Sequence, residues 1–111
     1  MEKFDRNILI LGEEGQAKLK ESKVLVFGVG GVGGYVIEAL TRAGVGTIDI
    51  VDGDKVDETN INRQIIATTK TIGRDKVDVM KDRMLEINPD VKCKALKLFY
   101  LPENMQFFLI Y

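Results

Sequence analysis

The chain opens on a short apolar patch, Phe4 to Leu11, interrupted by Asp5, Arg6 and Asn7. GEEGQAKLKES follows and predicts a helix, with Glu14 and Lys18 spaced to pair across one turn. KVLVFG then brings an unbroken apolar run, Val24 to Phe27, closed by glycine. Such runs mark strands buried on both faces. From Gly31 a second helix is predicted, because Val32, Val36, Ala39 or Leu40, and Ala43 recur at helical spacing. Gly44 is placed to end it. GTIDIVD predicts a second strand ending at Asp52, and the polar stretch from Gly53 to Asn62 predicts a long loop. A third helix begins near Arg74, with Val77, Met80, Met84 and Ile87 on one face. Asn88-Pro89 ends it. VKCKALKLF alternates Val91, Cys93 and Ala95 against Lys92 and Lys94, which predicts a third strand with one wetter face, as at a sheet edge. Pro102 opens a last short helix through Phe108.

The order β-α-β-loop-α-β predicts an α/β fold. It corresponds to the first half of a doubly wound Rossmann-like parallel sheet, strand order 3-2-1, with an N-terminal helix. A helical arm over 1–22 would precede a partial nucleotide-binding domain over 23–111. The 111 residues make a single small domain. Sixteen Lys and Arg against seventeen Asp and Glu give a net charge of −1, which excludes a chain-wide polycationic nucleic-acid binder. No apolar run approaches the roughly 18 residues of a membrane span, and the start, MEKFDRN, lacks the apolar stretch of a signal peptide. A cytoplasmic location without a membrane partner is expected. Histidine is absent and Cys93 is the only cysteine, so no His triad, disulfide or Cys-cluster metal site fits within the chain.

Glycine changes the picture. Eleven glycines are present, five of them between residues 28 and 34, in GVGGVGG. Gly28, Gly30 and Gly33 fit G-x-G-x-x-G between a strand and a helix. The first allows a tight turn, the second lets backbone approach a phosphate, and the third lets helix and strand pack closely. Amides at the helix start favour an anion. Asp52 stands 19 residues beyond Gly33, at a strand tip, where a carboxylate accepts ribose hydroxyls. The bland alternative is that the glycines only permit a tight βα turn.

The fingerprint's commonest ligand is NAD. Two features fit NAD poorly: the extra glycine, Gly31, and the polar loop VDGDKVDETNINRQ. That loop delivers Asn60, Asn62, Arg63 and Gln64 near the carboxyl end of the sheet, and Lys76 follows 13 residues after Arg63. Arg63 can fork across two phosphate oxygens, and Lys76 supplies a point charge. The bland readings are a solvated Arg63 and a Lys76 paired with Asp75, Asp78 or Asp82 on its own helix. A lysine in a first helical turn opposes the helix dipole, which favours a purpose such as facing an anion. Cys93 reads as a small buried residue, and Asp54 and Asp57 as loop formers.

Together, GVGGVGGYVIEALTRAGVGTIDIVDGDKVDETNINRQ and IGRDKVDVMKDRMLEINP resemble the ThiF/MoeB/HesA superfamily, which includes the ubiquitin-activating enzymes. The resemblance runs from Arg6 to about Pro102. RNILILGEEGQAKLKESKV and LPENM most resemble its branch of tRNA threonylcarbamoyladenosine dehydratases. The resemblance implies ATP-dependent adenylation of a carboxylate with release of pyrophosphate. Gly28, Gly30, Gly31 and Gly33 would cradle the nucleotide and Asp52 would hold the ribose. Asn60, Arg63 and Lys76 would contact the phosphates. Arg6 matches an arginine that in several relatives reaches the partner subunit's ATP site, which implies a homodimer. The substrate would be a modified tRNA or, as in sister branches, a small ubiquitin-like sulfur-carrier protein.

The family pattern continues past residue 111 with a strand whose terminal aspartate binds magnesium. ATP and magnesium are therefore the implied cofactors, with no metal ligand inside this chain. On that reading the 111 residues are part of an enzyme and are inactive alone, with weak ATP binding at most. Val24 to Phe27 would present an open strand edge and Phe107 to Tyr111 an apolar terminus, so self-association is expected. Two other classes stay open: an NAD-binding oxidoreductase fragment, and a non-catalytic nucleotide-binding or dimerising module.

Overall fold

The computed structural model describes residues 2–101 and 103. The helix expected through Phe108 and the apolar terminus lie outside these residues. Helix α1 (Asp5–Glu21), strand β1 (Lys23–Phe27), helix α2 (Val32–Ala43), strand β2 (Thr47–Val51), helix α3 (Lys76–Ile87) and strand β3 (Ala95–Leu96) follow in order. The three strands form one parallel sheet, with β2 between β1 and β3. The register runs from Lys23 opposite Thr47 to Phe27 opposite Val51, and from Ile50 opposite Ala95 to Val51 opposite Leu96. Among the described residues β1 is an edge of this sheet.

Burial explains the centre. Ile48 and Ile50 of β2 are fully buried with Val29, Ile37, Val77, Met80 and Met84. The α3 face read from the sequence therefore faces the core. The α2 stripe does not. Val32 is 80% exposed and Val36 is exposed, whereas Gly34, Ile37 and Thr41 are buried. Gly34 sets that rotation: a Cβ there would lie 2.6 Å from Val29 O, so this face can approach the end of β1 closely. Arg83 of α3 pairs with Glu38 of α2 and ties the two helices together.

The helical arm expected over 1–22 is helix α1, which takes in the apolar patch from Asp5 onward; it kinks at Gly12, whose φ of 74° an L side chain rarely adopts. Asn7 Nδ2 and Gln16 Nε2, one on each side of that kink, donate to Ala43 O at 3.3 and 2.9 Å. Thus α1 satisfies a carbonyl at the end of α2, which Gly44 caps in the left-handed conformation at φ 95°. The expected Glu14–Lys18 ion pair is not formed. The third strand is shorter than VKCKALKLF. Lys92 and Lys94 carbonyls accept from Ile48 and Ile50 N–H at 2.9 and 3.0 Å, but Lys94 N–H donates to the Asp49 carboxylate at 2.8 Å instead of continuing the ladder. A buried side chain from the neighbouring strand thereby interrupts the pairing.

Candidate functional site

At the carboxyl end of β1 the chain turns through GVGGVGG. Gly28 has φ 86° and Gly31 φ 55°, both in the half of conformational space that glycine occupies freely. Gly28 N–H continues the ladder to Val51 O at 2.8 Å. A Cβ on Gly33 would lie far inside contact distance of Gly28 O, so the first turn of α2 rests directly on the loop backbone. Gly31 is the N-cap of α2 and contributes no side-chain cap. Neither Gly30 nor Gly31 N–H makes a hydrogen bond among the described residues. Two free amides ahead of an uncapped helix form an acceptor-seeking corner, suited to an anion.

Asp52 organises the corner. Its Oδ2 accepts from Val29 N–H at 2.9 Å and its Oδ1 from Asp54 N–H at 2.8 Å. Asp54 O in turn accepts from Lys76 N–H at 3.0 Å. One chain of hydrogen bonds therefore links the glycine loop, the tip of β2 and the first residue of α3. Sequence reasoning assigned Asp52 to a ribose; the structure gives its carboxylate a second task, holding the loop. Each carboxylate oxygen has a further lone pair for a ligand.

Lys76 is 7% exposed. The intrahelical pairing considered from the sequence does not form, since Asp75 pairs with Lys97 at 3.0 Å and Asp82 with Arg74 at 2.7 Å. Lys76 has no ion pair among the described residues. Asn60 is buried and structural in part: its Oδ1 accepts from Asp57 N–H at 2.8 Å, while Asp57 caps the 3₁₀ turn Glu58–Asn60 in return. The expected loop thus contains a capped turn. The hydroxyl and N–H of Thr59 both donate to Asp57 and hold its carboxyl below the usual range, with Lys76 adding to the effect. Arg63 is exposed, and its Nη1 donates to Thr59 O and Asn62 Oδ1, each at 3.0 Å. Its guanidinium is tethered to its own turn.

Arg6 is exposed on α1, and its neighbours Phe4, Asp5 and Ile8 line a cavity of about 390 Å³ beside Gly44, Gly46 and Asn88. Those residues precede β2 and β3, so this cavity lies at the amino end of the sheet and the chain does not bring Arg6 to its own glycine loop. A smaller cleft of about 150 Å³ adjoins Gly28, Asp52 and Gly53 and is walled by Phe27, Phe99 and Tyr100. Sequence reasoning missed these aromatic walls; only the end of the third strand, LFY, signals them. Among the described residues no three metal-ligating side chains converge, and no helix is long and apolar enough to cross a membrane.

Cys93 is half-buried against the core. Burial pushes its thiol up to about 11, with Lys81 pulling it down and Asp49 raising it. At pH 8 it holds roughly a hundredfold less thiolate than an ordinary cysteine. Iodoacetamide is therefore expected to label it slowly in the folded chain and quickly in urea, followed by mass spectrometry. Fast labelling of the native chain would contradict this placement.

Comparison with known proteins bears on this geometry. The ThiF family pattern matches residues 4–109. The tRNA threonylcarbamoyladenosine dehydratase of Bacillus subtilis is 50% identical over 111 residues, a match covering 100% of this chain and 44% of that protein. A probable adenylyltransferase/sulfurtransferase MoeZ of Mycobacterium tuberculosis is 41% identical over 104 residues, covering 92% of this chain and 26% of that one. The crystal structure of E. coli tRNA N6-threonylcarbamoyladenosine dehydratase in complex with ATP superposes with a TM-score of 0.95 at 34% identity, covering 97% of this chain and 44% of that one. The chain thus spans less than half the length of these relatives. Its strand order, its glycine loop and a match that leaves out only a few residues at each end agree: the chain belongs to the ThiF family.

Proposed function

We propose that this chain supplies the ATP-binding part of an enzyme that adenylates a carboxylate. The best-supported substrate is the threonyl carboxylate of a modified tRNA adenosine, which would be activated and then cyclised with loss of water. The observation that carries the reading is the pair of free amides at Gly30 and Gly31, joined through Asp52 and Asp54 to a buried Lys76 without an ion pair. The corner fits ATP. Amides and the helix start would meet the phosphates, Asp52 a ribose hydroxyl, and the aromatic cleft an apolar ring face. Asn60 and Arg63 would join the phosphate contacts, Arg63 after release from its own turn.

In such a reaction the carboxylate oxygen bonds to the α-phosphorus, and the bond from that phosphorus to the pyrophosphate oxygen breaks. A carboxylate nucleophile carries no proton to remove, so the absence of histidine is no obstacle. Charge builds on the phosphoryl oxygens and the leaving pyrophosphate, and fixed cations are what that step uses. Among the described residues no three metal-ligating side chains converge. Arg6, exposed and remote from the loop of its own chain, is free to serve a second copy in a homodimer.

A sulfur-carrier adenylyltransferase is the second reading, supported by the 41% identity to the mycobacterial protein. Both share the nucleotide step. Calorimetry of the chain with ATP and with NAD tests it: ATP is expected to bind, weakly, and NAD not to. NAD binding without ATP binding would overturn the proposal.

A further inference from the structure

Gln64 follows Arg63 in the polar loop, and its carboxamide lies against Gly30. A Cβ on Gly30 would fall 2.5 Å from Oε1, 2.7 Å from Cδ and 2.8 Å from Nε2, so the whole amide covers the space a side chain at position 30 would take. Gln64 is 9% exposed, and its Oε1 is buried without a hydrogen-bond partner among the described residues. A buried amide oxygen without a partner is unfavourable, and each such group calls for an explanation. The local turn does not need it. Gln64 N–H already bonds Asn60 O at 2.9 Å, and Gln64 O accepts from Ala67 N–H at 3.0 Å. What the carboxamide does is fill the space beside Gly30, next to the two free amides.

We propose that Gln64 is a positioning residue of the glycine loop. Its carboxamide packs on Gly30, fixes the direction of the free Gly30 and Gly31 amides, and through them sets the affinity for a nucleotide's phosphates. The proposal rests on the ATP reading above. It also changes what the glycine at position 30 is for. Gly30 does not have positive φ, so its backbone tolerates alanine; the atoms in the way belong to Gln64. The turn that carries Arg63 therefore also carries the brace of the loop it faces.

A double-mutant cycle tests this with Gly30→Ala, Gln64→Ala and their combination. Each substitution removes the same contact, the first by displacing the carboxamide and the second by deleting it. Each is expected to weaken ATP binding about tenfold, and the double variant also about tenfold rather than a hundredfold. Adenosine, which lacks the phosphates, is expected to lose less than about twofold, a split that general loosening of the fold would not give. Gln64→Met, which keeps the volume, is expected to retain most of the ATP affinity. Multiplying effects in the double variant, or equal losses for ATP and adenosine, would overturn the positioning role. If the parent chain binds no ATP, the nucleotide role fails with the ATP reading. The coupling between the two positions in Tm, measured without ligand, still decides whether Gln64 braces Gly30.

Discussion

Replacing Lys76 by methionine is expected to lower pyrophosphate exchange by about 100- to 1,000-fold, while Tm does not fall. The assay uses a polypeptide of the relatives' full length that carries these residues. The size follows from the loss of one preorganised charge at a phosphoryl transition state. The Tm statement follows from the position. Lys76 is the first residue of α3, where a cation opposes the helix dipole, and it has no ion pair among the described residues. Methionine keeps the buried stem and drops the charge. Its backbone N–H still reaches Asp54 O at 3.0 Å, so the chain of hydrogen bonds to Asp52 persists. A buried cation without an ion pair, on the helix whose first amide is bonded through Asp54 and Asp52 to the glycine loop, fits a role toward a ligand. Arg63→Ala is expected to act in the same direction with little cost to the fold, since Arg63 is exposed and bonds only within its own turn. Near-normal exchange in Lys76→Met would return Lys76 to a structural role.

What could be read from the sequence was whatever rests on local pattern. The apolar run Val24 to Phe27, the glycine turn and the stripe Val77, Met80, Met84 each need only near neighbours, and each is where the pattern put it. The family resemblance rested on the same segments and the polar loop between them. Reading failed where distant side chains meet backbone. Asp49 takes the Lys94 amide across 45 residues and cuts β3 short. Asn7 and Gln16 reach Ala43 O from far along the chain and dock the expected N-terminal helix on the end of α2. The α2 stripe misled because glycine carries no hydrophobic signal, yet Gly34 decides which face approaches β1.

The candidate site divides the same way. Its residue types were legible: glycines for amides, Asp52 at a strand tip, Lys76 at a helix start. Their mutual support was not. Nothing in the spacing shows that Asp52 clamps Val29 and Asp54, that Asn60 spends its oxygen on the turn, or that Gln64 occupies the space beside Gly30. Asp52 to Val29 and Gln64 to Gly30 join segments far apart along the chain that meet only once the fold is assembled, whereas the Asp54 and Asn60 bonds are local ones that residue types alone do not specify. The fold joins Asp52 and the backbone of Lys76 to the glycine loop by hydrogen bonds, while Arg6 stands at the other end of the sheet.

Gly33→Ala is expected to destabilise the chain more than any other substitution in the glycine loop, by about 3 kcal/mol or more, at or above the upper end for overpacking. The reason is what the new methyl meets. A Cβ on Gly33 would enter far inside the 3.0 Å below which such atoms essentially never approach, and the atom it meets is Gly28 O, a backbone carbonyl. No side chain can rotate out of the way, as Gln64 can for Gly30. Gly28 cannot retreat cheaply either, because its N–H is bonded to Val51 O at 2.8 Å and its φ is 86°. Either α2 lifts from the loop or the β1–β2 ladder loses its last bond. Gly12→Ala is the control: nothing lies within 4 Å of its Cβ, and only the cost of φ 74° remains, roughly 1–2 kcal/mol. For a domain of this size the Gly33 variant should lose about 10–20 °C in Tm, about twice the Gly12 loss or more. The measurement is thermal unfolding without nucleotide, so the loss reports helix–loop packing and not phosphate approach. If Gly33→Ala unfolded within a few degrees of the parent, the close contact between α2 and Gly28 O would not exist in solution, and the loop geometry from which the free amides were read would fall with it.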